Sequence, residues 1–174
     1  VETEKLVKKA KRGNRKALET LFNQIYVQLY KTALIYVGNE QDALDIVQET
    51  AFKITKKIHT LKDDKYFKTW AIRILIYTAY DLLDQTKKTE NPFEIEEISS
   101  INPTKRTDEN LDLLKALEQL PILQKNSIVL YYFQDLSIKE VADFMAIPEG
   151  TVKYYLHEAR NKLKKILERT DKNG

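Results

Sequence analysis

The sequence predicts an all-α chain built as two small helical domains joined by a linker, and three observations carry that expectation. Glycine and proline number only four each in 174 residues. Ala, Leu, Lys, Glu and Gln, which lose little rotamer freedom in a helix, are common instead. Apolar residues recur at helical spacing through most of the chain. One interval, about residues 86–107, loses that periodicity and collects Asn91-Pro92, Ser99-Ser100, Asn102-Pro103 and several glutamates, so it reads as a linker. The domains are therefore expected at residues 1–85 and 108–174.

Each element has its own warrant. Leu6, Val7 and Ala10, then Ala17, Leu18, Leu21, Phe22, Ile25, Leu29, Ala33 and Tyr36 mark two helices separated by Gly13-Asn14, with Asn14 as the cap of the second. Gly38 supplies the left-handed residue that ends that helix. Asn39 or Asp42 starts the next, which runs to His59 with Ala43, Ile46, Val47, Thr50, Phe52, Ile54 and Ile58 on its apolar face. Asp45, Gln48 and Glu49 fall on its other side. Residues 59–66 break the pattern and read as a polar surface loop. Residues 67–83 are apolar nearly all round, which places that helix at the centre of a bundle. Past the linker, Asp108 opens a helix carrying Leu111, Leu114, Leu117 and Leu120 that Pro121 stops. Residues 124–133 form another, with Ile128, Val129, Tyr131 and Tyr132 toward the core.

Residues 136–164 hold the densest local signal. Ser137 followed by Glu140 is a capping box, and Val141, Ala142 and Met145 then fall on one face. Ala146-Ile147-Pro148 breaks the chain, since Pro148 cannot continue the first helix but suits the first turn of a second. Val152, Leu156, Ala159, Leu163 and Leu167 make the inner face of that second helix. Glu149, Lys153, Tyr154, His157, Arg160 and Lys164 point elsewhere. A short helix followed by a polar, basic one is a helix-turn-helix that fits a DNA major groove.

Composition excludes several classes. There is no cysteine, so disulfides and thiolate metal sites are out. With His59 and His157 the only histidines, a zinc role is implausible. No apolar run approaches the roughly 20 residues of a membrane span, and residues 1–5 do not open like a signal peptide, so a soluble, cytoplasmic chain is expected. No P-loop or dinucleotide fingerprint occurs, and no cofactor is expected. The net charge of +3 says little, but its distribution says more. Lys5, Lys8, Lys9, Lys11, Arg12, Arg15 and Lys16 crowd the N-terminus, and Lys153, Arg160, Lys162, Lys164, Lys165 and Arg169 crowd the last helix. The first run reads as a solvated face; the helix-turn-helix tips the second toward DNA.

In this order and spacing the chain resembles the bacterial RNA polymerase sigma factors of the extracytoplasmic-function (ECF) group, from about Ala10 to Leu167. DALDIVQET at residues 42–50 is similar to the family's core-polymerase-binding helix, and residues 67–81 to its promoter-melting helix. Leu120-Pro121, Gln124 and Leu130-Tyr131-Tyr132-Phe133 resemble the entry to its C-terminal domain. IPEGTVK at residues 147–153, with Ala159-Arg160, resembles its recognition helix. The resemblance implies a region 2-like bundle at residues 1–85 for polymerase binding and minus-ten melting, and a region 4-like bundle at residues 108–174 for the minus-thirty-five element.

Roles carry over residue by residue. Asp45, Gln48 and Glu49 match positions that dock on the clamp helices of the polymerase largest subunit; read alone, they fit a solvated face equally well. Residues 59–66 match the loop that captures a flipped minus-ten base, with His59, Lys62 and Tyr66 as candidate contacts. Lys68, Trp70, Arg73 and Tyr77 lie on the melting helix, although an indole such as Trp70 is more commonly a core residue. Lys153, Tyr154 and His157 match base-reading positions, and Lys139, Thr151, Arg160 and Lys164 accompany them, the cations as phosphate contacts. Implied partners are core RNA polymerase (clamp helices and flap), promoter DNA and an anti-sigma factor, in many cases membrane-anchored. Phe93, Ile95 and Ile98 of the linker are candidates for packing in such complexes. No small-molecule substrate or enzymatic activity is implied.

Three positions depart from the family pattern: Glu158 stands where a basic residue is frequent, Ala146 where Gly makes the turn, and Tyr77 where Asn is common. At Ala146 the departure implies a milder backbone or about a kilocalorie of strain. The runner-up reading is an autonomous helix-turn-helix regulator. A helical hydrolase holding metal at Asp42, Asp45 and Glu49 is more distant, because no second ligand set converges on them.

Overall fold

The computed structural model describes residues 1–89 and 108–173. Among them are eight α-helices and no strand, and the chain divides into two compact units, Val1–Asn102 and Pro103–Gly174.

In the first unit α1 (Glu2–Lys11), α2 (Arg15–Val37), α3 (Glu40–Lys57) and α4 (Phe67–Thr89) form a bundle in which α1, α3 and α4 each pack on α2, and α3 packs on α4. Local chemistry sets the breaks. Asn14 Oδ1 accepts the Ala17 N–H at 3.0 Å to start α2. Gly38 ends it in the left-handed region at φ 73°, its N–H donating to the Leu34 carbonyl at 2.8 Å. Asn39, rather than Asp42, caps α3: its Oδ1 accepts the Asp42 N–H at 2.8 Å while its amide donates to the Asp42 carboxylate at 2.9 Å. Leu21, Leu29, Ile46, Ile54, Phe67, Ile72 and Leu75 are wholly buried between these helices, each contributing about 1.5–3 kcal/mol.

Four expectations are corrected here. Phe52 is 54% exposed, not in the core; it lies two residues from both Thr50 and Ile54, hence about 200° around the helix from each. The α4 helix is not buried all round. Phe67, Ala71, Ile72, Leu75, Ile76 and Ala79 face inward, while Lys68, Arg73, Tyr77 and Asp81 are exposed. Residues 59–66 are not a wholly polar loop: short 3-10 turns at Ile58–Thr60 and Asp64–Tyr66 flank a buried Leu61. Helix α4 also continues through Thr89, past the expected linker start. The remainder of that segment, including Phe93, Ile95 and Ile98, lies outside the described residues.

In the second unit α5 (Asp108–Glu118), α6 (Ile122–Ile128) and α7 (Ile138–Met145) all pack on the long α8 (Glu149–Asn173). Leu117, Val129, Leu130, Val141, Val152, Leu156 and Ala159 close the core. Pro121 stands at the N-cap of α6, so the helix begins two residues earlier than Gln124. After Ile128 the helix widens into a π-turn, Val129–Phe133. The extra residue in that turn advances the register, so Leu130 is buried and Tyr132, expected toward the core, is 49% exposed. The run at residues 124–127 is buried although polar. Desolvation lowers the Lys125 pKa against the opposing pull of Glu118, and desolvation likewise raises that of Glu118.

The capping box forms in full. The Glu140 N–H donates to Ser137 Oγ at 3.1 Å and the Ser137 N–H to Glu140 Oε2 at 2.8 Å. Ala146 adopts φ 55°, ψ 45°, the left-handed cap, and the Ile147 N–H reaches back to the Ala142 carbonyl at 3.1 Å. The strained alternative therefore holds at this turn. Pro148 sits at the N-cap of α8 rather than inside its first turn: its carbonyl accepts the Thr151 and Val152 N–H groups at 3.0 and 3.2 Å. Met145, Leu163 and Leu167 are half-buried rather than core.

Candidate protein-binding and nucleic-acid-binding surfaces

Asp45, Gln48 and Glu49 are all exposed on α3, and none is held by a hydrogen bond or ion pair to another described residue. With Phe52 they fall at i, i+3, i+4 and i+7, one stripe of the helix. Leu44 is exposed beside them. The stripe is thus acidic at one end and aromatic at the other, where the Lys56 ammonium lies 4.3 Å from the Phe52 ring centroid. An aromatic anchor rimmed by acceptors is the composition of an interface hot spot. Sequence reasoning placed Phe52 in the core; its angular offset from Thr50 and Ile54 was the signal that separates it.

His59 and Lys62 are exposed on either side of Leu61, and Tyr66 is exposed at the end of the second turn. Lys65 lies 4.9 Å from the Tyr66 ring centroid; interaction with Tyr66 first, and then Asp63, raises its pKa. Along α4, Lys68 is exposed. Trp70 is half-buried, leaning on Phe67 with ring centroids 6.1 Å apart, so it belongs wholly to neither core nor solvent. The Arg73 guanidinium is 5.7 Å from the Tyr77 ring centroid, and Tyr77 is 52% exposed. Trp70, Arg73 and Tyr77 share a stripe at i, i+3 and i+7. It offers aromatic faces and a cation together, the chemistry that holds unpaired bases and their phosphates.

On α8, Lys153, Tyr154, His157, Arg160 and Lys164 are exposed, and Thr151 is half-buried in the first turn. Lys139 is exposed in the first turn of α7. His157 Nε2 lies 3.2 Å from the side-chain amide of Asn161 one turn on. The Arg160 guanidinium sits 5.7 Å from the Tyr132 ring centroid, so the π-turn supplies a seat for a side chain that sequence reasoning assigned to phosphate alone. Glu158 is half-buried. Among the described residues no group of acidic and histidine side chains converges to hold a metal, and no helix is long and apolar enough to cross a membrane.

Two helical units, the second ending in a helix-turn-helix and the first presenting an acidic stripe and an aromatic-cationic one, have the layout of a helix-turn-helix transcription factor. Residues 21–89 match the family described as Sigma-70 region 2, and residues 110–163 match Sigma-70, region 4. The chain is 34% identical over 152 residues to RNA polymerase sigma factor SigV of Bacillus subtilis (strain 168), covering 87% of this chain and 91% of that protein. ECF RNA polymerase sigma factor SigW of the same organism is 26% identical over 179 residues, covering 94% and 95%. Among solved structures, that of CnrH in complex with the cytosolic domain of CnrY shares the fold, with a TM-score of 0.74 at 22% identity over 97% of this chain and 99% of that one. The chain belongs to the RNA polymerase sigma factors, in the ECF group. It is a transcription initiation factor rather than the autonomous regulator that a helix-turn-helix alone would allow.

Proposed function

We propose that this sigma factor docks on the clamp helices of core RNA polymerase through the α3 stripe of Asp45, Gln48, Glu49 and Phe52. In this reading residues 59–66 receive an unstacked minus-ten base, the outward stripe of α4 lines the opened strand, and α8 sits in the minus-thirty-five groove. The observation that carries it is the segregation of chemistry within the first unit. An acidic, aromatic-anchored face is repelled by DNA and suits a basic protein groove, whereas the loop and α4 carry the cations and aromatic rings that single-stranded DNA needs. In the second unit Lys153, Tyr154 and His157 read base edges, and Lys139, Arg160 and Lys164 set register on phosphates.

The first domain then serves polymerase binding and minus-ten melting, and the last serves minus-thirty-five recognition. The factor works where polymerase and chromosome meet, in the cytoplasm, without cofactor, small-molecule substrate or catalysis of its own. An anti-sigma factor that covers these faces would silence it. RpoE of Bartonella quintana, which shares the fold at 22% identity and a TM-score of 0.68, is solved in complex with the anti-sigma factor NepR. Transcription of a genomic library by core polymerase plus the purified chain, followed by sequencing of transcript 5′ ends, tests the proposal. Discrete start sites sharing two upstream elements are expected, and Glu49→Lys should abolish them through loss of holoenzyme. Absence of initiation at every promoter would rule it out.

A further inference from the structure

Lys11 does not behave like the rest of the N-terminal basic run. At the last position of α1, its ammonium donates to the Leu61 carbonyl oxygen at 2.6 Å and to Asp64 Oδ1 at 2.5 Å, partners 50 and 53 residues away in sequence. The two side chains are only 24% and 15% exposed. Helix α1 packs on both 3-10 turns of the loop. Each turn is closed by its own bonds. The Leu61 N–H donates to the Ile58 carbonyl at 3.2 Å, and the Tyr66 N–H to the Asp63 carbonyl at 3.1 Å, with the Lys65 N–H on Asp63 Oδ1 at 3.2 Å. The Lys11 ammonium binds one acceptor on each side of Lys62-Asp63 and so joins the two turns.

A half-buried ammonium with two close acceptors, one of them a carboxylate, fixes geometry more firmly than an exposed pair does. It is also turned away from solvent and has its charge answered, so it is poorly placed to meet a phosphate. We propose that Lys11 is a positioning residue for base capture: it splints residues 59–66 in the shape that receives an unstacked minus-ten base, and does so without touching DNA. This rests on the reading of the loop given above.

The test uses holoenzyme assembled from core polymerase and the full chain. Its probe is a labelled non-template-strand oligonucleotide carrying the minus-ten segment of the strongest promoter found by transcript sequencing, titrated across a salt series. Lys11→Met is expected to weaken probe binding on the order of tenfold, the scale on which the loss of one hydrogen bond to a charged group acts. Affinity for core polymerase and the salt slope of probe binding should stay as in the unmodified protein. Asp64→Asn should weaken binding too, the double variant should be no worse than either single one, and amide hydrogen exchange at residues 61–66 should speed up in each. A phosphate-contacting Lys11 predicts the opposite pattern. Lys11→Met would then flatten the salt slope by about one, and Asp64→Asn, by removing a negative charge, would tighten binding. Either of those results, or unchanged affinity in both variants, overturns the proposal. Should Lys11→Met fail to fold, the sign of the Asp64→Asn effect decides. If holoenzyme with the unmodified chain ignores the probe, the reading of the loop itself falls, whatever the variants do.

Discussion

Ala146 holds the left-handed conformation at φ 55°, where a Cβ meets the following carbonyl at a cost of about 1–2 kcal/mol, part of which glycine gives back through its freer unfolded chain. Ala146→Gly should therefore stabilise the C-terminal unit by about 0.5–1 kcal/mol, read as a higher urea midpoint. Lys125 also carries a cost, one that depends on pH. Its folded-state pKa lies below the ordinary 10.5 because burial disfavours the ammonium, so its favourable contribution is present above that value and lost as pH falls through the folded pKa. Lys125→Met removes that titration, so the stability of the variant should rise less than that of the unmodified chain as pH is raised from neutrality toward 10.5. Chemical denaturation at several pH values measures both. Residue-scale features were legible where partners are neighbours in sequence. The Ser137–Glu140 box and the turn at Ala146 involve residues three positions apart or adjacent. The Lys11–Asp64 bond spans 53 positions, and no local pattern announces such a pair.

At the scale of elements, period and punctuation located every α-helix among the described residues, because Asn14, Gly38, Asn39, Pro121 and Pro148 act on the backbone next to them. Which face of each helix is covered was harder. Phe52 and Tyr132 are apolar enough for a core, yet packing geometry turned both outward, the first by angle and the second by the π-turn. Phe52→Ala should leave the melting temperature nearly unchanged, since little buried area is lost, while weakening core polymerase binding by about 2 kcal/mol or more. Leu75→Ala, at a site with no exposure, should instead destabilise the first unit by about 2–5 kcal/mol. Calorimetry and holoenzyme titration separate the two outcomes. On α4, Tyr77→Ala should weaken hold on the opened strand by about 1–3 kcal/mol, the scale of one stacked base, seen with a fluorescent base analogue in the minus-ten segment. Most candidate positions are exposed as their polarity suggests, Trp70 and Thr151 being half-buried instead, but the pairing of Arg73 with Tyr77 and of Arg160 with Tyr132 needed the helices in place.

For the whole molecule, the division into two units means two separate hydrophobic cores. Neither unit is large, so each is only marginally stable on its own. Two-state unfolding is not expected of such a chain. Scanning calorimetry should resolve two transitions, with Ala146→Gly moving one and Leu75→Ala the other. The overall charge of +3 foretold nothing about this arrangement; the loss of periodicity between the helical stretches did. The π-turn at Val129–Phe133 carries a last consequence. It amounts to one surplus residue in an otherwise regular helix, so the surface aromatic that seats Arg160 exists because of how many residues were counted into the turn, not because of which ones. Loss of a single codon there would let the helix run regularly and swing Tyr132 off its present bearing. A gene for this protein should therefore tolerate exchanges of letters at the outward positions of that stretch, but not at the buried Val129 and Leu130, and very few changes in its length.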